Sequence, residues 1–303
     1  MSILIVGSIA FDSIKTPFGE VQEVLGGSAV YSSISASFFS PVKIVGVVGE
    51  DFSEEYFKLL EKYSIDTSAI ERKPGRTFRW SGEYEYDINC VHTLDLQLNV
   101  FSDFHPKIPE KFKNTPYIFL ANIDPELQLE VLNQIERKKL VIADTRDHWI
   151  ETKNRDVWKV IRNVDGLVIN ESETRQLAND SNLIKSVKKI LKEGLKFIIV
   201  KKGEHGALVF DEKNMFFAPG YPLEDVKDPT GAGDCFAGGF LGYIAYTGDF
   251  SFENLRRAVI YGSVIASYNV EGFGLERLLK LKEDEIFKRF NEFKNLTHFE
   301  DIS

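Results

Sequence analysis

The chain has 303 residues, 43% apolar and 27% charged. It can bury a large core, and its scattered Gly and Pro exclude a disordered or fibrous protein. A net charge of -9 argues against nucleic acid or a membrane surface as a general partner, and two isolated cysteines, Cys90 and Cys235, exclude a disulfide framework or a cysteine zinc site. With no basic leader-like region at the N-terminus and no apolar run of membrane-spanning length, the expected compartment is the cytoplasm.

Ile3 to Val6 is a continuous apolar run, as expected of a strand buried on both faces of a parallel sheet. Asp12 follows, then a polar stretch to Gly26-Gly27, then small and aromatic residues from Ser28 to Phe39 that suit a tightly packed helix. Val42 to Val48 reads as a second buried strand, and Phe52 to Tyr63 has helical periodicity. From Gly75 to Phe101 the character changes. Phe78, Trp80, Tyr84 and Tyr86 recur at even spacing, and Val91, Leu94, Leu96, Leu98 and Val100 continue a rough period of two. Two or three antiparallel strands are expected, with a turn at Asp87 to Asn89. They form either an edge addition to the main sheet or a lid over a site, and the many aromatics favour a lid.

From Tyr117 onward strand and helix alternate regularly: strands at Tyr117–Ala121, Leu140–Ala143, Gly166–Ile169 and Phe197–Val200, with helices at Pro125–Ile135, Asn154–Ile161, Ser172–Ala178 and Leu183–Leu191 between them. Ala207–Phe210 follows the turn Lys202–Gly206, and Asn254–Tyr268 and Glu283–Phe293 read as closing helices. Repeated strand–helix units imply a mainly parallel sheet covered on both faces, with ligands beyond the carboxyl ends of its strands. Three polar clusters fall there: Asn122 with Asp124, Asp144 with Arg146, and Asn170 with Glu173. No linker or repeat divides the chain, so one domain over 1–303 is expected.

Val226 to Phe240 carries the strongest local signal. Small residues precede Asp234 and an apolar run at helical spacing follows, so a glycine loop opens a helix. The unpaired N–H groups and dipole of such an opening attract anions, and Gly231, Ala232 and Gly233 leave room for a phosphate. A carboxylate there repels a resting phosphate but can take a proton from a hydroxyl that attacks it, which points to phosphoryl transfer; an ordinary capped loop is the competing explanation. Asn170 and Glu173 lie three apart where a strand meets a helix, a pattern that suits either a hydrated magnesium ion or a helix cap. The P-loop, dinucleotide, zinc-protease and hydrolase-elbow patterns are absent, and the five histidines show no ligand spacing.

Together these residues resemble the ribokinase-like carbohydrate kinases, the PfkB family, over nearly the whole chain. Asp228-Pro229-Thr230-Gly231-Ala232-Gly233-Asp234 with Phe236, Gly238 and Gly239 is similar to the family's C-terminal signature. Gly26-Gly27-Ser28-Ala29 followed by Val45 to Asp51 resembles the N-terminal one, and Asn170–Glu173 the family's magnesium motif. The resemblance implies a three-layer αβα fold with a small β-sheet lid built from about 9–25 and 75–101. It implies an ATP-dependent, magnesium-requiring kinase acting on a hydroxyl of a small sugar or sugar acid; a nucleoside kinase or a non-catalytic nucleotide-binding member are the alternatives. Asp234 would be the general base and Gly231, Ala232 and Gly233 the anion hole. Asn170 and Glu173 would hold magnesium through water, Lys201 would face the phosphates, and Gly203 and Tyr261 would border the nucleotide. Asp12, Gly26, Gly27, Asn122 and Asp124 would hold the substrate. Asp228 and Thr230 match positions that in some members help bind a monovalent cation such as K+. Tyr31 stands where the family often has asparagine; with Trp80 and Arg146 it would favour a substrate with a ring to stack on or a negative charge to pair with. A lid with two amphipathic faces also suits a homodimer.

Overall fold

The computed structural model describes residues 1–298. The chain opens with β1 (Ile3–Val6), whose residues alternate between two cores. Ile3 and Ile5 join a cluster on one face of the main sheet, and Leu4 and Val6 join a second cluster on the other. That is why the run is apolar throughout rather than alternating.

A hairpin follows, β2 (Ala10–Thr16) and β3 (Gly19–Gly26), then α1 (Ser28–Ser37), β4 (Val42–Val48), α2 (Glu54–Lys62) and β5 (Ile65–Arg72). A second hairpin comprises β6 (Phe78–Tyr84) and β7 (Val91–Gln97). The regular part runs β8 (Tyr117–Leu120), α3 (Pro125–Gln134), β9 (Leu140–Asp144), α4 (Asp147–Thr152), α5 (Asn154–Ile161), β10 (Gly166–Asn170), α6 (Glu171–Ala178), α7 (Leu183–Leu191) and β11 (Phe197–Lys201). β12 (Ala207–Phe210), β13 (Met215–Ala218), α8 (Ala232–Thr247), α9 (Phe252–Asn269) and α10 (Glu283–Leu296) complete it.

Among the described residues nine strands form the main sheet, in the order β13-β12-β11-β10-β9-β8-β1-β4-β5. All neighbours are parallel except β11 with β12 and β12 with β13. Helices α1, α8 and α9 pack together on the side of the first core, and α3, α5 and α7 contribute to the second. Among the described residues no helix is long and apolar enough to cross a membrane.

The two hairpins join into a separate four-stranded sheet, β3-β2-β6-β7. It differs from the two or three antiparallel strands expected from periodicity: β2 and β6 are parallel, and β2 and β3 come from the 9–25 segment, which the family resemblance assigned to the small sheet but the residue pattern showed only as polar. Residues such as Glu20 and Gln22 hide the strand signal because this hairpin has one face in solvent. The period-two reading also ran too far, since β7 ends at Gln97 and Asn99–Asp103 turns as a 3-10 helix. The small sheet is anchored at the start of β6. Thr77 bonds Asp51 through both its N–H (2.8 Å) and its hydroxyl (2.6 Å), and Arg79 pairs with Asp51 at 2.8 Å.

Candidate active site

At the carboxyl edge of the main sheet the chain folds Asp228 to Asp234 into a tight loop. Asp228 has no exposed surface, and its two carboxylate oxygens accept the N–H groups of Thr230 and Gly274, each at 2.8 Å. This shapes a turn that delivers Gly231 as the N-cap of α8 at φ +74, a left-handed conformation with no side-chain cap. No side chain caps the first turn; the Ala232 N–H, expected in the anion hole, is donated to the Pro229 carbonyl at 3.1 Å, which leaves those of Gly231 and Gly233. A Cβ at Gly231 would lie 2.5 Å from the ring of Tyr31, so glycine is required on steric grounds as well.

Asp234 sits half-buried in the first turn of α8. Burial pushes its pKa up to about 7; Asp144 pushes the same way, while Lys201 and Arg146 oppose it. A carboxylate near 7 is matched to accepting a proton at neutral pH. Lys201 ends β11 with its Nζ 3.0 Å from where a Gly233 Cβ would be and 3.3 Å from Asp144 Oδ2. Burial opposes the lysine's charge, but Asp144, Glu173 and Asp234 outweigh it and its pKa is raised.

Asn170 and Glu173 form a reciprocal cap at the start of α6. Asn170 Oδ1 accepts the Glu173 N–H at 2.8 Å, and Glu173 Oε2 accepts the Asn170 N–H at 3.0 Å. The capping alternative is thus realised, and it leaves the second Glu173 oxygen for other use. Glu173 is 7% exposed; burial first, with Asp144 adding to it against Lys201, brings its pKa to about 7. A buried, charge-deficient carboxylate of this kind fits a hard cation. Among the described residues no three acidic, histidine or cysteine side chains cluster closely enough to hold a metal by themselves. A magnesium ion here would keep waters and phosphate oxygens as its other ligands.

Across the cleft, Asp12 projects from β2 and is 4% exposed. Burial lifts its pKa to about 7, partly offset by the Gly27 N–H and reinforced by Asp228 and Asp234. Any Cβ at Gly26 would collide with its carboxylate. The strand register puts Asp12 beside Trp80, and Trp80 beside Leu96, so an acid, an indole and an aliphatic side chain lie in a row on one face of the small sheet. Asn122 joins from the main-sheet side, its Oδ1 held by the Trp149 indole N–H at 3.0 Å. Arg146 is 45% exposed, leans on Asp147, and acts electrostatically on Asp234.

Three expected site residues are engaged within the fold. Tyr31 is 1% exposed, with its ring beneath Gly231, so it offers no face for stacking. Asp124 spends one oxygen capping α3 and the other on Lys153 at 2.6 Å. Tyr261 is stacked between Tyr243 and Phe290, centroids 4.3 and 4.2 Å away, about two helical turns from the end of α9 at Asn269. Gly203 lies in the turn after β11, as expected, with Asn89 from the small sheet against it. Two residues in the cleft had escaped assignment. Asp144 was noted with Arg146 as a polar cluster at a strand end but given no role, and Tyr84 was visible only as one aromatic in an alternating series.

A glycine anion loop with a carboxylate in its first turn, beside a half-buried lysine and a capped glutamate, on a doubly covered parallel sheet, defines a phosphotransferase with an alcohol acceptor. The profile of the pfkB family carbohydrate kinases matches residues 3–280, and the chain belongs to that family. It is 28% identical to a cytidine kinase of Thermococcus kodakarensis, over 80% of this chain and 87% of the relative. It is 26% identical to a deoxyribokinase of Salmonella typhi, over 98% of this chain and 99% of the relative. A nucleoside kinase of Methanocaldococcus jannaschii superimposes with a TM-score of 0.78 at 22% identity, covering 96% of this chain and 98% of that one.

Proposed function

We propose that the chain transfers the γ-phosphoryl group of ATP to a hydroxyl on the sugar ring of a nucleoside. The row Asp12, Trp80, Leu96 carries this reading. A buried carboxylate suits ring hydroxyls, and an indole with an aliphatic neighbour beyond it suits a flat base on the same ligand. The likeness to a cytidine kinase supports it. A sugar acid is the second reading, favoured by the half-exposed guanidinium of Arg146.

In the reaction, Asp12 and Asn122 orient the acceptor so that one hydroxyl faces Asp234. Asp234 takes that proton as the acceptor oxygen bonds to the γ phosphorus. The bond from that phosphorus to the bridging oxygen breaks, with its electron pair leaving on ADP. N–H groups of Gly231 and Gly233 receive the charge on the transferring group, that of Ala232 being donated to the Pro229 carbonyl at 3.1 Å, and Lys201 neutralises part of it. Asn170 and Glu173 would hold magnesium through water, and the ion would supply charge neutralisation on the phosphates. Asn269 Oδ1 is buried with no partner while its Nδ2 holds the Thr230 carbonyl at 2.8 Å. This spare oxygen beside Asp228 and Thr230 supports a monovalent cation there. Gly203 would border the nucleotide.

Replacing Trp80 with alanine tests the ring-stacking part. Loss of base stacking, about 1–3 kcal/mol, raises KM for cytidine roughly 5- to 150-fold and leaves KM for ribose within about twofold. Equal changes for both acceptors would contradict the reading.

A further inference from the structure

We propose that Tyr84 is a positioning residue that ties closure of the small sheet to assembly of the anion loop, and so confines phosphoryl transfer to the alcohol acceptor instead of water. Tyr84 ends β6, is 8% exposed, and its hydroxyl lies 3.2 Å from Thr230 Oγ1, a contact spanning 146 positions of sequence. Thr230 is otherwise fixed through its backbone: its N–H is given to Asp228 and its carbonyl is taken by Asn269. Its hydroxyl is the part left to report on the small sheet.

β6 is therefore fastened at both ends. Thr77 and Arg79 hold its start to Asp51, Tyr84 holds its end to the loop that contains the anion hole, and Trp80 lies between. Beyond Tyr84 the hairpin tip lays Asn89 against Gly203, on the side expected to border the nucleotide. One small sheet thus touches the acceptor side, the anion loop and the nucleotide turn.

The two outcomes available to the γ-phosphoryl group differ only in the attacking oxygen. An alcohol gives the phosphorylated product and ADP, while water gives inorganic phosphate and ADP; in both, the attacking oxygen's proton passes to Asp234. Water needs no orientation, so its exclusion depends on the sheet staying closed while the loop is assembled.

Tyr84→Phe removes one hydroxyl and keeps the ring. With magnesium ATP and no acceptor, the variant releases inorganic phosphate about 2- to 10-fold faster than wild type, the population change that one ordinary hydrogen bond supports. With cytidine present, the ratio of ATP hydrolysed to acceptor phosphorylated rises by a similar factor. Combining it with Thr230→Val adds no further change to that ratio, because both remove the same contact. Unchanged hydrolysis in Tyr84→Phe, a proportional fall of hydrolysis and transfer, or additive effects in the double variant would overturn the proposal. The acceptor-free assay needs only magnesium ATP, so absence of turnover with cytidine would count against the nucleoside reading alone.

Discussion

Asp234→Asn lowers kcat by two to four orders of magnitude while ATP binding is retained or tightened. The carboxylate is the only acidic side chain in the first turn of α8, and loss of general base assistance at a positioned hydroxyl costs about 10²- to 10⁴-fold. Asparagine has the same shape and keeps the loop packed, so the loss is chemical. It also removes a negative charge that would face the phosphates, which is why the nucleotide is not lost with the rate. The pH dependence carries a second signature. Asp234 works deprotonated and is raised to about 7, so wild-type kcat/KM rises with pH through that region. Asp12 and Glu173 are also raised to about 7, so the acid limb is steeper than a single ionisation. In the variant that limb loses the slope of one proton. Steady-state kinetics across pH with calorimetric titration of ATP checks both.

Gly231→Ala lowers kcat by about 10²- to 10³-fold, the cost of displacing an oxyanion donor. A side chain at φ +74 is strained by about 1–2 kcal/mol, and its Cβ would meet three atoms of the buried Tyr31 ring. The turn must open to relieve the clash, and the N–H groups of the anion hole move with it. Gly248 at the other end of α8 is the control. It is also left-handed, at φ +71, but the nearest atom to a Cβ there is the flexible end of Met1. Gly248→Ala lowers Tm without a comparable effect on kcat, which separates backbone strain in general from loss of the anion hole.

Much of this architecture was readable from residue order because it rests on local periodicity. The apolar runs at Ile3–Val6 and Val42–Val48 coincide with β1 and β4, and Asn154–Ile161 and Leu183–Leu191 with α5 and α7. Short edge strands such as β13 and the polar hairpin β2–β3 were harder, since one face of each meets solvent and weakens the pattern. Residues that depend on distant partners were not readable. Asp124 looks free until Lys153 and its own helix claim it. Tyr261 looks available until Tyr243 and Phe290 cover both faces. Tyr31 was placed correctly in sequence relative to Gly27, yet only the tertiary fold puts Gly231 over its ring. The Tyr84–Thr230 contact joins two segments with no local signal in common.

The most direct test of the account is transfer of labelled γ-phosphate from magnesium ATP to a panel of cytidine and other nucleosides, ribose, deoxyribose, inositol and sugar acids, with products identified by mass. A phosphorylated nucleoside formed with a higher kcat/KM than any free sugar, and lost in Asp234→Asn, is the predicted result. Preferred phosphorylation of a free sugar or sugar acid, or equal turnover by Asp234→Asn, would contradict it.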